Sequence, residues 1–530
     1  MIARESMWVL SLLITTLTLP VQGVAAGNAG AGRTATPPPA IAPLMEDYDI
    51  EIKPGEELYL PEPELPDVSA YSRDAIEAKL AGRQDSAPNV TVERMGGVSA
   101  LGDFVDEGRA REWVIRQFSH PQAIMVNSGK VTLEDVYRQV NDRRYMEQVG
   151  DGTYIIRLPL AVKQEATLVL RDETLRLSEE RGSFIANDGW LFAIDSKIIG
   201  WREEANGPAT FQKKGNFRPF YVGWGGSENF ILGTTMANLG YLQSKSYGFT
   251  VAQYSEYDNA RLQRSAPHAW LVESTFEDLY YGFYCYEAED VAIVDNVYRD
   301  NIVYGIDPHD YSSRLLIANN EVYGTREKHG IIISREVNNS WIVGNRSYDN
   351  GLSGIVLDRQ SSNNVVANNV SYDNQGDGIG LYESPDNLLW GNRLMNNLRN
   401  GIRVRNSSNV NVYHNVAVLN GTWGIYGQLK DLSATDRNFK EDFYSYEVSM
   451  NVVGGELASN ASGPLSTDNP AYIAIYDVGM RFPRSDVGIH FEGVLGKYQM
   501  QIFDALRNQG RAVFIEPTAV VSGQVTQAEN

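Results

Sequence analysis

The sequence is poor in cysteine and in positive charge, and each shortage excludes a class of protein. The single cysteine, Cys285, rules out an intramolecular disulfide and any metal site built from several cysteines. The 46 lysines and arginines are outnumbered by 67 aspartates and glutamates, which gives a formal net charge of −21. This excess of negative charge argues against nucleic acid or an anionic membrane as a partner. An anionic substrate would therefore need a local basic patch.

Long apolar runs are also missing, apart from one near the N-terminus. Residues 1–26 combine an early arginine, an apolar run over residues 8–19 and small residues that end at Ala26. The run is shorter than the about 20 residues that a spanning helix needs, and the pattern is typical of a cleaved export signal. We expect residues 1–26 to be a signal peptide and the mature protein to be soluble, exported and without membrane insertion.

The sequence does contain an internal repeat, with a period of about 24 residues that lies in the range of solenoid units. One glycine recurs in each repeat: Gly282, Gly305, Gly330, Gly354, Gly378, Gly401 and Gly424. An asparagine follows each of the first six glycines at an almost constant distance: Asn296, Asn320, Asn345, Asn369, Asn392 and Asn415. Consecutive repeats with such regular spacing indicate a solenoid.

The pattern inside each repeat indicates which solenoid this is. Apolar residues stand one and three positions after the glycine, as in Ile331/Ile333 and Ile355/Leu357. Period two is typical of short strands with one buried face, whereas helical repeats need longer units and a period of 3.6. The dense leucine pattern of leucine-rich repeats is absent. The repeat predicts an all-β protein, a right-handed parallel β-helix with capping segments at both ends.

Composition outside the repeat suggests further boundaries. Residues 27–66 are rich in alanine, glycine and proline and predict a flexible lead. Residues 67–150 carry helical patterns, with Thr132 as a candidate N-cap. Because the first coil of a solenoid would otherwise expose strand edges and core, we expect residues 67–150 to form an N-terminal cap. The β-helix with the catalytic groove is expected over residues 151–430, beginning with irregular coils.

The repeat stops after residue 430. Residues 431–448 break its pattern, and residues 498–509 ("YQMQIFDALRNQ") have a helical one. We expect residues 431–530 to be a C-terminal extension and cap that covers the far end of the solenoid.

Outward-facing positions of the repeat form a strip of polar and aromatic side chains. Residues two and four after each glycine point away from the core, and neighbouring coils lie about 4.8 Å apart. With the position that follows, the strip holds the candidate substrate-binding residues Tyr284, Tyr286, Asp310, Arg359, Tyr382, Arg403 and Arg405. Arginine's planar fork suits carboxylates, and tyrosine faces suit sugar rings. The strip predicts a long anionic polysaccharide as partner; a plain solvated face is the alternative.

The strip is most irregular at Asp307-Pro308-His309-Asp310. Pro308 cannot donate to a neighbouring strand, and this coil, from Gly305 to Gly330, is the longest of the set. Asp307 and His309 share the outer face about 6.6 Å apart, and Arg335 comes from the next coil. Functional residues are expected where one coil departs from the regular pattern of the others, as this coil does at Pro308 and in its length. We therefore interpret this coil as the catalytic centre.

The segment Tyr304–Asp310 ("YGIDPHD") resembles the signature of the alginate-modifying mannuronan C5-epimerases. With the export signal, the repeats and the terminal segments, the chain is similar to the periplasmic epimerases of alginate-producing Gram-negative bacteria over nearly all its mature length. Secreted epimerases of that group carry Gly/Asp-rich calcium-binding nonapeptides, which this sequence lacks. We expect no metal and no other cofactor.

The resemblance implies roles for three catalytic candidates, His309, Arg335 and Tyr304; Asp307, which shares the outer face with His309, is the fourth candidate. The histidine would remove the C5 proton of a mannuronate unit within the polymer, and Arg335 would neutralise the substrate carboxylate as charge develops. Reprotonation from the opposite face, by Tyr304 or by water, would yield guluronate. The resemblance also implies a periplasmic location, polymannuronate or alginate as substrate, and partner proteins of a periplasmic alginate polymerisation and export complex.

Two other functions fit the residues themselves. A polyuronate lyase would use the same base and the same arginine, but its enolate would expel the O4 substituent. A non-catalytic polysaccharide-binding scaffold of the export apparatus would bind polymer without exchanging its C5 proton. Only the family resemblance favours epimerisation over elimination.

Overall fold

The repeats fold into a parallel β-helix, as the period-two pattern predicts. The computed structural model describes residues 47–97, 99–106, 109–481 and 491–518. Each regular coil contributes one strand to each of three sheets, named I, II and III in the order in which the chain visits them. Each strand pairs in parallel with its equivalent in the next coil.

The strands of the three sheets have the following bounds. Sheet I contains Asn89–Arg94, the first part of Gln122–Thr132, Leu160–Val162, Ile185–Asn187, Tyr221–Trp224, Gly248–Ala252, Tyr281–Tyr286, Tyr304–His309, Ile331–Ser334, Ile355–Asp358, Ile379–Tyr382, Ile402–Arg405, Trp423–Gln428, Gly463–Thr467 and Glu492–Gly493. Sheet II contains the second part of Gln122–Thr132, Ala166–Arg171, Trp190–Ile194, Glu228–Leu232, His268–Val272, Ala292–Val294, Leu316–Ala318, Trp341–Val343, Val365–Ala367, Leu388–Trp390, Val410–Tyr413, Ser449–Val453, Tyr472–Tyr476, Ala512–Pro517 and Tyr48–Lys53. Sheet III contains Met146–Gly150, Thr153–Ile156, Thr174–Ser178, Lys197–Arg202 with Gly207–Pro208, Thr235–Ala237, Thr275–Glu277, Val297–Arg299, Glu321–Tyr323, Arg346–Tyr348, Val370–Tyr372, Arg393–Met395, Val416–Val418, Glu456–Ala458 and Gly479–Arg481.

Short helices lie around this solenoid. The α-helices are α1 (Arg73–Ala81), α2 (Ser99–Asp106), α3 (Ala110–Gln117), α4 (Leu133–Val140), α5 (Glu256–Leu262), α6 (Val494–Lys497) and α7 (Gln499–Phe503). Within the described residues, no helix combines the length and the apolar character needed to cross a membrane.

The repeating glycines stand where successive coils approach each other most closely. A Cβ atom added at Gly305 would lie 2.5 Å from the carbonyl oxygen of Gly330 and 2.5 Å from a methyl group of Val322. Any side chain would therefore push the coils apart at the start of each sheet I strand. Inward residues between them, such as Ile306 and Cys285, are fully buried, as the alternation predicts.

The asparagine column forms a continuous hydrogen-bonded ladder at the turn between sheets II and III. From Asn296 to Asn392, each Nδ2 donates to the Oδ1 of the asparagine one coil later, at 2.8 to 3.1 Å, and Asn415 is the last acceptor. The left-handed backbone lies one residue earlier, as at Asn319 and Asn368, both with φ of 56°. The ladder asparagines thus join coils through their amides rather than by adopting the turn conformation themselves.

The N-terminal end of the solenoid is covered by α4. Its residues Leu133 and Val136 are buried in the main core. The predicted cap is present, because the Thr132 hydroxyl accepts from the Asp135 amide while the Asp135 carboxylate accepts from Thr132.

The other helices of residues 67–150 do not cover that end. Helices α2 and α3 lie on the outer face of sheet I, where Phe104 and Trp113 pack against Phe184. The expectation of a single cap over residues 67–150 is therefore corrected. Helical periodicity identifies an apolar face but not the surface that this face covers.

Residues 48–81 form a strap across the outer face of sheet II, so the expectation of a flexible lead is corrected from residue 48 onward. Strand Tyr48–Lys53 pairs antiparallel with Ala512–Pro517 at the C-terminal end of the solenoid. Leu58 then packs beside Trp390, and α1 packs on the early coils. A few well-placed apolar side chains suffice here because sheet II presents a ready-made apolar stripe. The expected signal peptide and residues 27–46 lie outside the described residues.

The β-helix continues beyond residue 430, which corrects the expected boundary. Strands Ser449–Val453, Gly463–Thr467 and Tyr472–Tyr476 add further turns of the same solenoid. The segment 431–448 is an insertion between two coils, and the glycine pattern merely lapses there. The predicted C-terminal helix is present as α7, and Ile502 on it is buried against the last coil.

Candidate active site

The irregular coil interrupts the strand ladder as predicted. Strand Tyr304–His309 pairs with the following strand only at Ile306↔Ile331 and His309↔Ser334. The pairing is missing at Asp307 and Pro308, since a proline nitrogen carries no hydrogen to donate. The chain then turns sharply, with left-handed backbone at Asp310 (φ 26°) and Tyr311 (φ 60°). This geometry directs the side chains of the motif onto the outer face of sheet I.

His309 lies in close contact with its neighbour Asp310. Its Nδ1 is 2.8 Å from the Asp310 carboxylate Oδ1, and this negative charge favours a proton on Nδ1, which leaves Nε2 as the basic atom. Burial disfavours the charged imidazole, but the hydrogen bond to Asp310 and the negative charges of Asp307 and Asp310 outweigh it and raise the pKa of His309. Ser312 donates to the His309 carbonyl at 2.8 Å and fixes the backbone. The coil therefore presents an oriented base.

The same carboxylate connects the base to an arginine. Nη1 of Arg335 lies 3.5 Å from Oδ1 of Asp310, which agrees with the predicted one-coil separation. A carboxylate engaged in this way orients His309 and Arg335, and it repels rather than binds a polyanion. Asp310 thus contacts both His309 and Arg335, and the substrate binding expected from its column stays a prediction.

Asp307 lies beside His309 and is almost fully buried. Its Oδ1 has no hydrogen-bond partner among the described residues. Burial raises the pKa of Asp307 to about 7, against the lowering effect of nearby His309 and Lys328. The site therefore holds, beside the histidine, a carboxyl group with a pKa of about 7.

Tyr304 lies at the other end of the same strand. Its hydroxyl is 3.1 Å from Nζ of Lys328, and burial holds its pKa well above the usual range. The phenol is thus protonated at neutral pH and can act as a proton donor.

Three predicted binding arginines lie on the strip but are already paired. Arg403 contacts Asp377 at 3.0 Å, and Arg405 contacts Glu383 at 2.8 Å. Arg359 lies 3.5 Å from the aspartate that precedes it in its own coil. The strip therefore carries charges of both signs, and these three arginines are paired with carboxylates of the protein itself.

The predicted tyrosines differ in their surroundings. The Tyr284 ring lies 5.8 Å from the imidazole of His309. Half-buried Tyr286 lies directly opposite His309 in the parallel pairing of their two strands. Tyr382 donates to Asp377 at 3.0 Å and has the Arg405 guanidinium 4.1 Å above its ring. The first two tyrosines adjoin the base, whereas Tyr382 belongs to the paired network farther along.

Sequence reasoning missed the part that the insertion 431–448 plays. Its Arg437 contacts Glu383 and Asp442 at 3.0 Å each, and Asp442 lies 3.6 Å from Arg359. Glu441 lies 4.0 Å from Arg335. The insertion thus folds back beside the strip and contacts its charged side chains. The lapse in the repeat was its only sequence signal.

Sequence reasoning also missed Lys328, which stands outside the repeated columns. Across the described residues, no cluster of three or more histidine, cysteine, aspartate or glutamate side chains could hold a metal ion. What remains is an oriented base, an adjacent guanidinium and a protonated phenol. This set can remove and return a proton beside a carboxylate.

Comparison with known proteins agrees with this chemistry. The family described as "Right handed beta helix region" matches residues 281–428, and this confirms the expected fold. The mannuronan C5-epimerase of Pseudomonas aeruginosa is 51% identical over 474 residues, 89% of this chain and 87% of the relative. Mannuronan C5-epimerase AlgG of Azotobacter vinelandii is 49% identical over 483 residues, 91% of each chain. The crystal structure of the periplasmic alginate epimerase AlgG matches with a TM-score of 0.78 and 48% identity, over 80% of this chain and all of that chain.

Proposed function

Since the chain belongs to the mannuronan C5-epimerase family, we propose that it inverts C5 of mannuronate units in alginate with His309 as base, Arg335 as charge-neutralising group and Tyr304 as donor. The activity is that of an isomerase acting on a polysaccharide. The assignment of residues rests on the geometry of one coil and its successor.

One observation carries the assignment. The Asp310 carboxylate lies 2.8 Å from His309 Nδ1 and 3.5 Å from Arg335 Nη1. A single fixed anion therefore holds the base and the guanidinium at a constant separation. A uronate whose C5 proton faces Nε2 of His309 has its own carboxylate on the neighbouring carbon, within the reach of Arg335.

The chemistry follows from the charge that develops. Removing the C5 proton leaves an electron pair that delocalises into the carboxylate, which becomes a dianionic enolate. A guanidinium offers two parallel N–H groups to its oxygens, an effect that can reach a few kcal/mol. The new C5–H bond then forms on the face opposite His309, using the Tyr304 hydroxyl proton, and the sugar becomes guluronate.

The remaining strip residues bind the polymer in this proposal. Tyr284 and Tyr286 adjoin the reacting sugar, and Arg359, Arg403 and Arg405 interact with sugars farther along. These arginines are already paired with carboxylates of the protein. A substrate carboxylate must therefore displace an aspartate or glutamate side chain from the arginine that it binds. Polymer binding should therefore depend strongly on salt.

Proton NMR of polymannuronate in heavy water tests the function. We expect guluronate with deuterium at C5 and no unsaturated product that absorbs ultraviolet light. Accumulation of the unsaturated product would indicate a lyase. Binding without any exchange at C5 would indicate a scaffold protein.

We propose a periplasmic location, supported by the export-signal pattern of residues 1–26 and by the periplasmic AlgG relative. The family resemblance also supports partners in a periplasmic alginate polymerisation and export complex. Fractionation of cells, followed by crosslinking of the periplasmic protein, tests both statements.

A further inference from the structure

Lys328 is a half-buried cation beside the active site, and no carboxylate of the described residues forms a direct ion pair with it. Its Nζ lies 3.1 Å from the Tyr304 hydroxyl and 5.2 Å from the centre of that ring. Among the described residues it enters no ion pair, unlike Arg403 or Arg405 on the same strip. Partial burial of an ammonium without a direct ion pair is costly, which points to use of its charge. Burial lowers the pKa of Lys328, and the carboxyl of Asp307 acts in the opposite direction.

The ring that Lys328 contacts is fixed on two sides. His329 stacks on Tyr304 with ring centres 6.1 Å apart and planes 7° apart. Tyr281 meets the same ring edge-on at 5.1 Å. The phenol therefore has one freedom left, the direction of its O–H bond.

We propose that Lys328 is the positioning residue for reprotonation at C5, because its ammonium fixes the direction in which Tyr304 donates. An ammonium can only donate, so it occupies a lone pair of the phenolic oxygen. The hydroxyl proton must then point away from Lys328 and toward another acceptor. This inference rests on the proposed function, and it adds a residue to the donor side of the reaction.

The proton steps balance as follows. The C5–H bond breaks, its proton goes to Nε2 of His309, and the electron pair remains on the enolate. That pair then takes the Tyr304 proton on the opposite face, which forms the new C5–H bond and leaves a phenolate. Lys328 stabilises this phenolate by charge and hydrogen bond until solvent returns a proton, while His309 releases its own proton to solvent.

The partition of the enolate tests the proposal. In heavy water it either inverts to deuterated guluronate or, once the proton on His309 has exchanged with solvent, returns to mannuronate with deuterium at C5, and NMR separates the two. For Lys328→Met, which keeps length but loses charge, we expect kcat to fall about tenfold or more. KM should stay within about twofold, since no polymer contact is removed. The ratio of deuterated mannuronate to guluronate should rise about tenfold, and Lys328→Arg should restore part of the inversion.

Matched variants keep the test decisive. Lys163→Met removes a lysine that lies 3.6 Å from Glu93 in the early coils, and it should leave both kcat and the ratio at the wild-type values. Tyr304→Phe should shift the ratio as Lys328→Met does, and the double variant should be no worse than either single one. Thermal unfolding midpoints near that of the wild type establish that the variants are folded.

Two outcomes would overturn the inference. One is an unchanged ratio in Lys328→Met, whatever the loss of kcat. The other is a raised KM with normal kcat, which would make Lys328 a polymer-binding cation only. Failure of the proposed function is seen separately, as a wild-type protein that forms no guluronate or a His309→Asn variant that still does.

Discussion

Two parts of the strip on sheet I hold similar charged side chains in different states. In the coils around Asp377 and Glu383, each carboxylate is 1% exposed and bound by an arginine at 2.8 to 3.0 Å. In the coil of His309, among the described residues, the Asp307 carboxyl has an oxygen without a hydrogen-bond partner, and Lys328 forms no direct ion pair but donates to the Tyr304 hydroxyl. Charges that neutralise each other hold the side chains of the strip together. Charges left without partners change the pKa values of groups that exchange protons with the substrate.

Replacing His309 should have the largest effect of any single change on the strip. We expect His309→Asn to lower kcat by about 10³-fold, because general-base catalysis is lost. The side chain is half-buried and faces outward, so its replacement leaves no cavity. Activity is measured as guluronate formed per unit time by NMR. Near-normal turnover in the folded variant would remove His309 from the mechanism and abolish the contrast between the two parts.

The next largest effect should come from Arg335→Lys. We expect kcat to fall about 10²-fold, because one ammonium cannot replace the two parallel N–H groups that face the enolate. Polymer affinity, measured by titration with polymannuronate, should change little. Arg359→Lys one coil later provides the matched control and should raise KM while kcat is kept. If the two variants show the same changes in kcat and KM, Arg335 binds polymer like the other arginines and takes no part in the chemistry.

Replacing Asp310 should act on the pH profile. Asp310 raises the pKa of His309, and the base works only when it is deprotonated. In Asp310→Asn the histidine pKa falls, so the acid limb of kcat/KM should move to lower pH. The maximum rate should also drop about tenfold, because the tautomer is no longer fixed. An acid limb that stays in place would show that another group, such as Asp307, sets it.

The smallest effect on turnover should come from breaking a paired arginine. Arg403→Gln leaves buried Asp377 without its cation, while Tyr382 and Asn400 still donate to that carboxylate. We expect about 2 kcal/mol of lost stability, below the usual range for a broken buried pair, and a modest rise in KM. The double variant Arg403→Gln/Asp377→Asn should recover stability in thermal unfolding. No recovery would mean that the pair does not stabilise the strip.

Much of the fold was predictable because its constraints repeat along the chain. A glycine is required wherever a Cβ would meet the next coil's carbonyl group, as at Gly305. An asparagine is required wherever the ladder passes. These requirements recur once in every coil. The spacing of the repeat is therefore enough to place His309 and Arg335 one coil apart on the same face.

The remaining features were not predictable because they do not repeat. Arg437 and Asp442 reach the strip from an insertion whose path no periodicity describes. Lys328 lies in a turn, outside the two alternating columns of the strand. The pairing of Arg405 with Glu383 joins two columns of different coils, and reading each column separately hides that contact.

The antiparallel pairing of Tyr48–Lys53 with Ala512–Pro517 bears on how the chain folds. Most contacts of a solenoid connect neighbouring coils, so such a protein can fold progressively as the chain emerges. Here the strand Tyr48–Lys53 can pair only once a strand near the other end of the described chain is available, and Tyr48 then lies opposite Pro517. Loop closure over that distance costs little more than over half of it, but the search is slow. We therefore expect the two terminal strands to pair late in folding, after all the coils between them have formed.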